Sequence, residues 1–255
     1  MFIDSHAHIQ IDQFNSDRDA VLQRALDVGV SHILIIGIDL ETSQKAVELA
    51  EKHDNLYATV GMHPHSATDL TSGILSTFRD LLVHPKVIAL GEIGLDYYRN
   101  LSPHKIQKDA FEKQLDLAEE METAIIIHNR DAYTDILPIL EKRRTKISGV
   151  LHCFTGDVEL MHRSIEIGFH IGIGGIVTYP NARDLQDVAR EVPMERILIE
   201  TDCPWLTPQF RRGKRNEPSY VPAIAEKIAE LRNITSEEIG EITTNNFNTL
   251  FGTSL

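Results

Sequence analysis

The feature that most narrows the possible folds of this chain is a regular alternation of short apolar runs with longer amphipathic stretches. Strand-like runs occupy the first eight residues, His32–Ile36, Leu56–Val60, Val87–Gly91, Ala124–Ile127, Ser148–Leu151, the segment from Phe169 to Gly175, and Arg196–Ile199. Between them lie stretches with helical periodicity: Asp17–Val28, Thr42–His53, Ile74–Val83, His104–Met121, Ala132–Arg143, Val158–Ile167 and Ala182–Glu191. In the longest, Phe111, Leu115, Ala118 and Met121 fall on one face. Strands alternating with helices imply parallel βαβ units, and eight strands are the number that closes a barrel. The expectation is therefore an α/β fold, a single (β/α)8 TIM barrel over residues 1–255. Two further helices, Tyr220–Leu231 and Glu237–Leu250, follow the last strand. A length of 255 residues suits one such barrel as well as two smaller domains. No linker, low-complexity stretch or internal repeat marks a boundary.

Composition excludes several classes. With 42% hydrophobic and 25% charged residues the chain has the make-up of an ordinary globular protein, not a disordered one. No apolar run approaches the roughly 18 residues that a bilayer span requires, and strand-like residues begin at Phe2 where a leader would lie. A cytoplasmic protein without membrane attachment is expected, with no obligate protein partner evident. Cys153 and Cys203 each follow a candidate ligand directly, face away from it in a strand, and read as packed thiols. The net charge of −13 argues against a protein that coats nucleic acid with its whole surface, while leaving room for a local basic patch.

In a barrel of this kind the active site lies at the C-terminal ends of the strands. The polar residues predicted there are His6 and His8, His63 and His65, Glu92, His128, His152 and Asp202, which take six of the twelve histidines to one rim. Strand alternation puts Asp4, His6 and His8 on one face, with Asp4 behind the two rings and placed to orient one of them. Imidazoles and carboxylates together suit a divalent cation, Mg²⁺, Mn²⁺ or Zn²⁺. One ion takes about four ligands, and the set exceeds four. Two cations about 3.5–4 Å apart, sharing a carboxylate and a water activated as nucleophile, fit better. The assignment is His6, His8 and Asp202 on one ion, His128 and His152 on the other, and Glu92 between them. Asp202 is also placed for general-base work, and Glu200, one layer deeper on the same face, for support. His63 and His65 flank Pro64 and read as contacts to substrate oxygens or as a proton donor to the leaving group. The glycines of the 172–175 segment read as close backbone packing at a strand end.

Three stretches carry a family resemblance: Phe2-Ile3-Asp4-Ser5-His6-Ala7-His8, Gly91-Glu92-Ile93-Gly94-Leu95-Asp96-Tyr97, and Ile199-Glu200-Thr201-Asp202-Cys203-Pro204. They resemble the signature stretches of the TatD family of metal-dependent deoxyribonucleases. Gly61-Met62-His63-Pro64-His65, His128-Asn129-Arg130 and the run from Arg212 to Pro218 are similar to that family's pattern too. The resemblance implies an amidohydrolase-superfamily barrel with a two-metal site on the residues named above, hydrolysing phosphodiester bonds in DNA. Gln10 departs from the pattern, standing where the family usually has Asp or Asn. The basic loop fits that activity: Arg211, Arg212, Lys214 and Arg215 follow the eighth strand on the metal face, and Arg130 follows His128, so these are the expected phosphate contacts.

The leading expectation is a two-metal phosphodiesterase that trims single-stranded DNA or DNA ends. The alternative keeps the barrel metal site and changes the substrate to a small amide, lactone or other ester. A carboxylate at position 92, where many cyclic amidases of the superfamily use a carboxylated lysine, tilts the choice toward phosphoesters. A non-catalytic protein with a structural metal ranks last, because a structural zinc site is closed by four protein ligands.

Overall fold

Eight parallel strands do form, in the order of the sequence, in a computed structural model that describes residues 1–255. They are β1 (Phe2–Ala7), β2 (Val30–Ile35), β3 (Leu56–Val60), β4 (Val87–Asp96), β5 (Ala124–Arg130), β6 (Gly149–Leu151), β7 (His170–Ile173) and β8 (Ile197–Ile199). Each pairs in parallel with the next. Helices α1 (Arg18–Asp27), α2 (Leu40–Glu51), α3 (Ser72–Leu82), α4 (His104–Met121), α5 (Tyr133–Glu141), α6 (Val158–Glu166) and α7 (Arg183–Glu191) connect them, and α8 (Val221–Arg232) and α9 (Ser236–Phe251) follow. This is the TIM barrel that the alternation predicts. Strands buried on both faces explain why runs such as Ala124-Ile125-Ile126-Ile127 are continuously apolar rather than alternating.

Closure falls beyond the last strand. Ala7 bridges to Cys203, the His8 N–H donates to the Cys203 carbonyl (2.9 Å), and the Asp202 N–H donates to the His6 carbonyl (2.9 Å). The seam that completes the barrel thus also brings three of the predicted rim residues together. At the opposite end α9 acts as a plug. Its Phe247 and Phe251 pack in one cluster with Ile3, Leu34, Ile126, Val150 and Leu198, and the Asn246 amide donates to the carbonyls of Met194 (2.7 Å) and Ile197 (2.8 Å) at the start of β8. Its first turn is fixed by reciprocal Thr235 and Glu238 capping bonds. The larger apolar layer lies between sheet and helices, where Phe14, Phe78, Phe111 and Phe169 are fully buried.

Candidate metal centre

The C-terminal rim gathers His6, His8, Glu92, His128, His152 and Asp202, drawn from five strands or the segments just beyond them, and all but His128 are buried. Around Glu92 Oε2 stand His6 Nε2 (3.5 Å) and His8 Nε2 (3.7 Å), themselves 3.1 Å apart. Asp202 Oδ1 lies 3.7 Å from His6 Nε2 and 3.4 Å from His8 Nε2. Around Glu92 Oε1 stand His152 Nε2 (2.7 Å), His128 Nδ1 (2.8 Å) and His63 Nε2 (3.5 Å). One carboxylate therefore faces two donor groups, one with each oxygen.

The donor set fits a cation. The His8 Nδ1–H donates to the Ile36 carbonyl (3.1 Å), so a neutral ring here turns a bare Nε2 lone pair toward two carboxylates and a second imidazole nitrogen, the arrangement of a metal ligand. Such a convergence of acceptors is repulsive unless a positive ion lies among them. The spacing agrees: four ligands about 2.1 Å from a zinc-sized ion stand about 3.4 Å apart in a tetrahedron, against the 3.1–3.7 Å between these donors. Burial lowers the pKa of His6, and the neighbouring His152 adds to the shift, so its ring is neutral and able to ligate. Burial opposes the charge on Glu92, but His152, His63 and the hydrogen bond from His128 outweigh it and hold the carboxyl well below its usual range. Asp202 is lowered too, its burial offset by the neighbouring His8, His6 and His152.

Local structure explains the placement. β4 runs on through Glu92 to Asp96 instead of stopping at Gly91 as the sequence reading had it, so positions 92 and 96 share a face. Gly94 lets β4 and β5 approach closely, because a Cβ there would sit 2.0 Å from the His128 carbonyl oxygen. The result is a contact that the sequence reading did not single out. Asp96 Oδ2 lies 3.0 Å from His128 Nε2 and 2.9 Å from His65 Nε2, and Asp96 Oδ1 accepts from the Arg99 N–H (2.7 Å). Although burial pushes its carboxyl up, these bonds hold it ionised far below the ordinary range. The i, i+2, i+4 spacing from Glu92 was the available signal.

Two expectations change. Asp4 does not back the histidine rings, because its carboxyl is taken up elsewhere, in the stretch where the pairing of β1 with β2 shifts register. Its carboxyl accepts from the Thr201 N–H (2.9 Å), the Thr201 hydroxyl (2.5 Å) and the His6 N–H (3.3 Å), tying β1 to the segment after β8, and burial pushes its pKa up to about 8. Arg215 is not a free phosphate contact. Its guanidinium donates to both Asp17 oxygens (2.9 and 2.6 Å) and to the Gln13 carbonyl (2.8 Å) over the Phe14 ring, which occupies the donors a phosphate would need.

The other predicted contacts are differently placed. Arg130 is exposed, its guanidinium 4.0 Å from the centre of the Tyr98 ring, and Arg212 lies 5.1 Å from that of Tyr179. Lys214 is exposed, and His65 is held by Asp96 at the edge of the site. The His65 N–H donates to His63 Nδ1 (3.1 Å), which leaves the proton of a neutral His63 on Nε2, aimed at Glu92 Oε1. Glu200 lies 3.6 Å from His152 Nδ1 and also accepts from the Cys153 N–H. Gln10 donates to the Ile36 carbonyl (2.7 Å), the same oxygen that takes His8 Nδ1. Both cysteines are free thiols.

A family model described as TatD related DNase matches residues 3–252. The chain belongs to the TatD family. This TatD-family chain is 45% identical to the metal-dependent hydrolase YabD of Bacillus subtilis, over 98% of its own length and 99% of the relative's. It is 38% identical, over 94% and 95% of the two lengths, to the protein of Pantoea vagans named 3′-5′ ssDNA/RNA exonuclease TatD. The crystal structure of the TatD homologue YjjV from Escherichia coli superposes with a TM-score of 0.94 at 31% identity, covering 99% of this chain and 98% of that one. The TatD-family chain is thus a metal-dependent hydrolase, and its rim holds buried His, Asp and Glu groups able to bind metal ions. None of its helices is long and apolar enough to cross a membrane.

Proposed function

We propose that the protein is a cytoplasmic two-metal phosphodiesterase that removes nucleotides from single-stranded DNA ends, the whole chain serving as one catalytic unit. The observation that carries this reading is the division of Glu92, whose two oxygens face separate donor groups. His6, His8 and Asp202 would hold one cation and His128 and His152 the other, with Glu92 common to both. When bound, such a pair lowers the pKa of a shared water and neutralises charge on the attacked and leaving oxygens. Asp202 borders the donors on the side of His8, where its carboxylate is placed to accept a proton from the attacking water. The His63 Nε2–H, fixed by the bond at Nδ1, is positioned to donate to the leaving oxygen. His65, Arg130, Arg212 and Lys214 would supply donors for the flanking phosphates. The ssDNA/RNA exonuclease name of a relative supports a single-stranded nucleic acid as the substrate class.

The test is direct. With Mg²⁺ or Mn²⁺ the purified protein should shorten an end-labelled single-stranded oligonucleotide, and Asp202→Ala should lower the rate about 10³-fold, as loss of a general base and a ligand together implies, with unchanged circular dichroism. Full activity in that variant overturns the site. Turnover of lactones or cyclic amides without cleavage of DNA overturns the substrate.

A further inference from the structure

Trp205 is the only tryptophan of the chain, and it is 45% exposed beside a buried metal-binding site. Its ring meets that of His8 edge to face, with centroids 5.1 Å apart. The side chain stands on a loop that is held from several directions. The Trp205 N–H donates to the Asp202 carbonyl (3.0 Å), and the Trp205 carbonyl accepts from the Asn216 amide (2.6 Å). The Thr207 carbonyl accepts from the Tyr179 hydroxyl (2.8 Å), and the Gln209 N–H donates to the Thr178 hydroxyl (2.8 Å). Gly175 lies so close beneath that a Cβ would come within 2.5 Å of the Leu206 carbonyl oxygen. An exposed indole on a fixed support is a flat apolar surface whose ordering has already been achieved in the free protein. Just beyond it the same loop carries exposed Arg211, Arg212 and Lys214, in a chain whose net charge is −13.

We propose that Trp205 is a stacking platform for the base of the nucleotide whose phosphodiester lies at the His8–Asp202 side of the site. The inference rests on the phosphodiesterase reading and adds to it the residue that selects unpaired bases. A nucleotide is the occupant that matches both halves of the surface, presenting a π-face to the indole and an anionic backbone to the arginines and lysine. A duplex hides its base faces in the stack and offers nothing to this ring, so the platform makes the enzyme prefer single strands. Stacking is tolerant of base identity, and little sequence preference follows.

Two measurements test the platform. Because Trp205 is the sole tryptophan, its emission should be quenched when a phosphorothioate-linked thymidine hexamer is titrated into the metal-loaded protein. In the second, cleavage of a hexamer is compared with that of two versions carrying one abasic residue, at the terminal or the next position. The wild-type protein should cleave one of the abasic hexamers about 10-fold or more slowly than the intact one, which is the scale of a lost base–aromatic contact. Trp205→Ala should cleave all three at one similar, reduced rate, whereas Trp205→Phe should restore most of the difference. The proposal is overturned if the hexamer leaves the emission unchanged, or if Trp205→Ala still discriminates against the abasic substrate as the wild type does. Quenching without any cleavage by the wild-type protein would support the platform while removing the phosphodiesterase reading.

Discussion

The two donor groups that share Glu92 are built differently. On the side of β1 and β8 the donors keep 3.1–3.7 Å apart, and His8 is oriented by a backbone carbonyl, that of Ile36. On the side of β5 and β6 the histidine nitrogens lie 2.7 and 2.8 Å from Glu92 Oε1, and His128 is oriented by a side chain, that of Asp96. A carbonyl is part of the barrel wall and no substitution removes it. A carboxylate can be removed, so the second group can be loosened from outside the ligand set. The contrast predicts that the two proposed ions respond separately to mutation, and that Glu92 is the one position to which both respond.

The largest effect should follow from Glu92→Gln. Removing the negative charge from both groups costs several kcal/mol of charge stabilisation, about a 10³-fold or greater fall in kcat. Metal analysis of the dialysed variant should find fewer than one ion, against the two expected in the wild type. Two retained ions in this variant would end the idea of a shared carboxylate. Asp96→Asn should act more weakly and on one side only, with a loss of about 10- to 100-fold in the affinity of the His128–His152 site, as for other residues that orient a metal-bound histidine. The site on the side of His6 and His8 should titrate unchanged. Equal weakening of both sites would show that the two groups are not independent.

How much of this was legible in the sequence depends on which physical rule governed each residue. The barrel followed from periodicity, and β3 and α4 lie at the predicted bounds because turn residues and apolar spacing mark both ends clearly. The convergence of the rim histidines followed from a rule of placement, since residues at the C-terminal ends of barrel strands meet at one rim. Asp4 did not follow, because its carboxyl is taken by Thr201 beside the closing seam, and alternation within one strand carries no information about a partner so distant in the chain. Asp96 was hidden for a related reason. The strand was ended at Gly91, although the glycines of that motif extend β4 and bring it against β5. Trp205 could be recognised only once its exposure was known, since an aromatic residue in a sequence is more often part of the core.

The smallest effects separate the neighbours Lys214 and Arg215. Both are basic and both lie on the loop after β8, but only Lys214 has its charge free, while Arg215 is bound to Asp17. Lys214→Ala should raise KM for DNA by a few-fold at low salt and reduce the slope of log affinity against log salt by about one, the signature of one lost phosphate contact. Arg215→Ala should leave that slope unchanged. The Arg215–Asp17 pair is about one-third exposed at each partner, so its loss costs about 1 kcal/mol or less, a fall in Tm of at most about 2–4 °C at this chain length. A change in salt slope for Arg215→Ala would mean that the guanidinium leaves Asp17 when DNA binds. The ion pair would then be a competitor of the substrate, and Asp17→Asn should tighten binding.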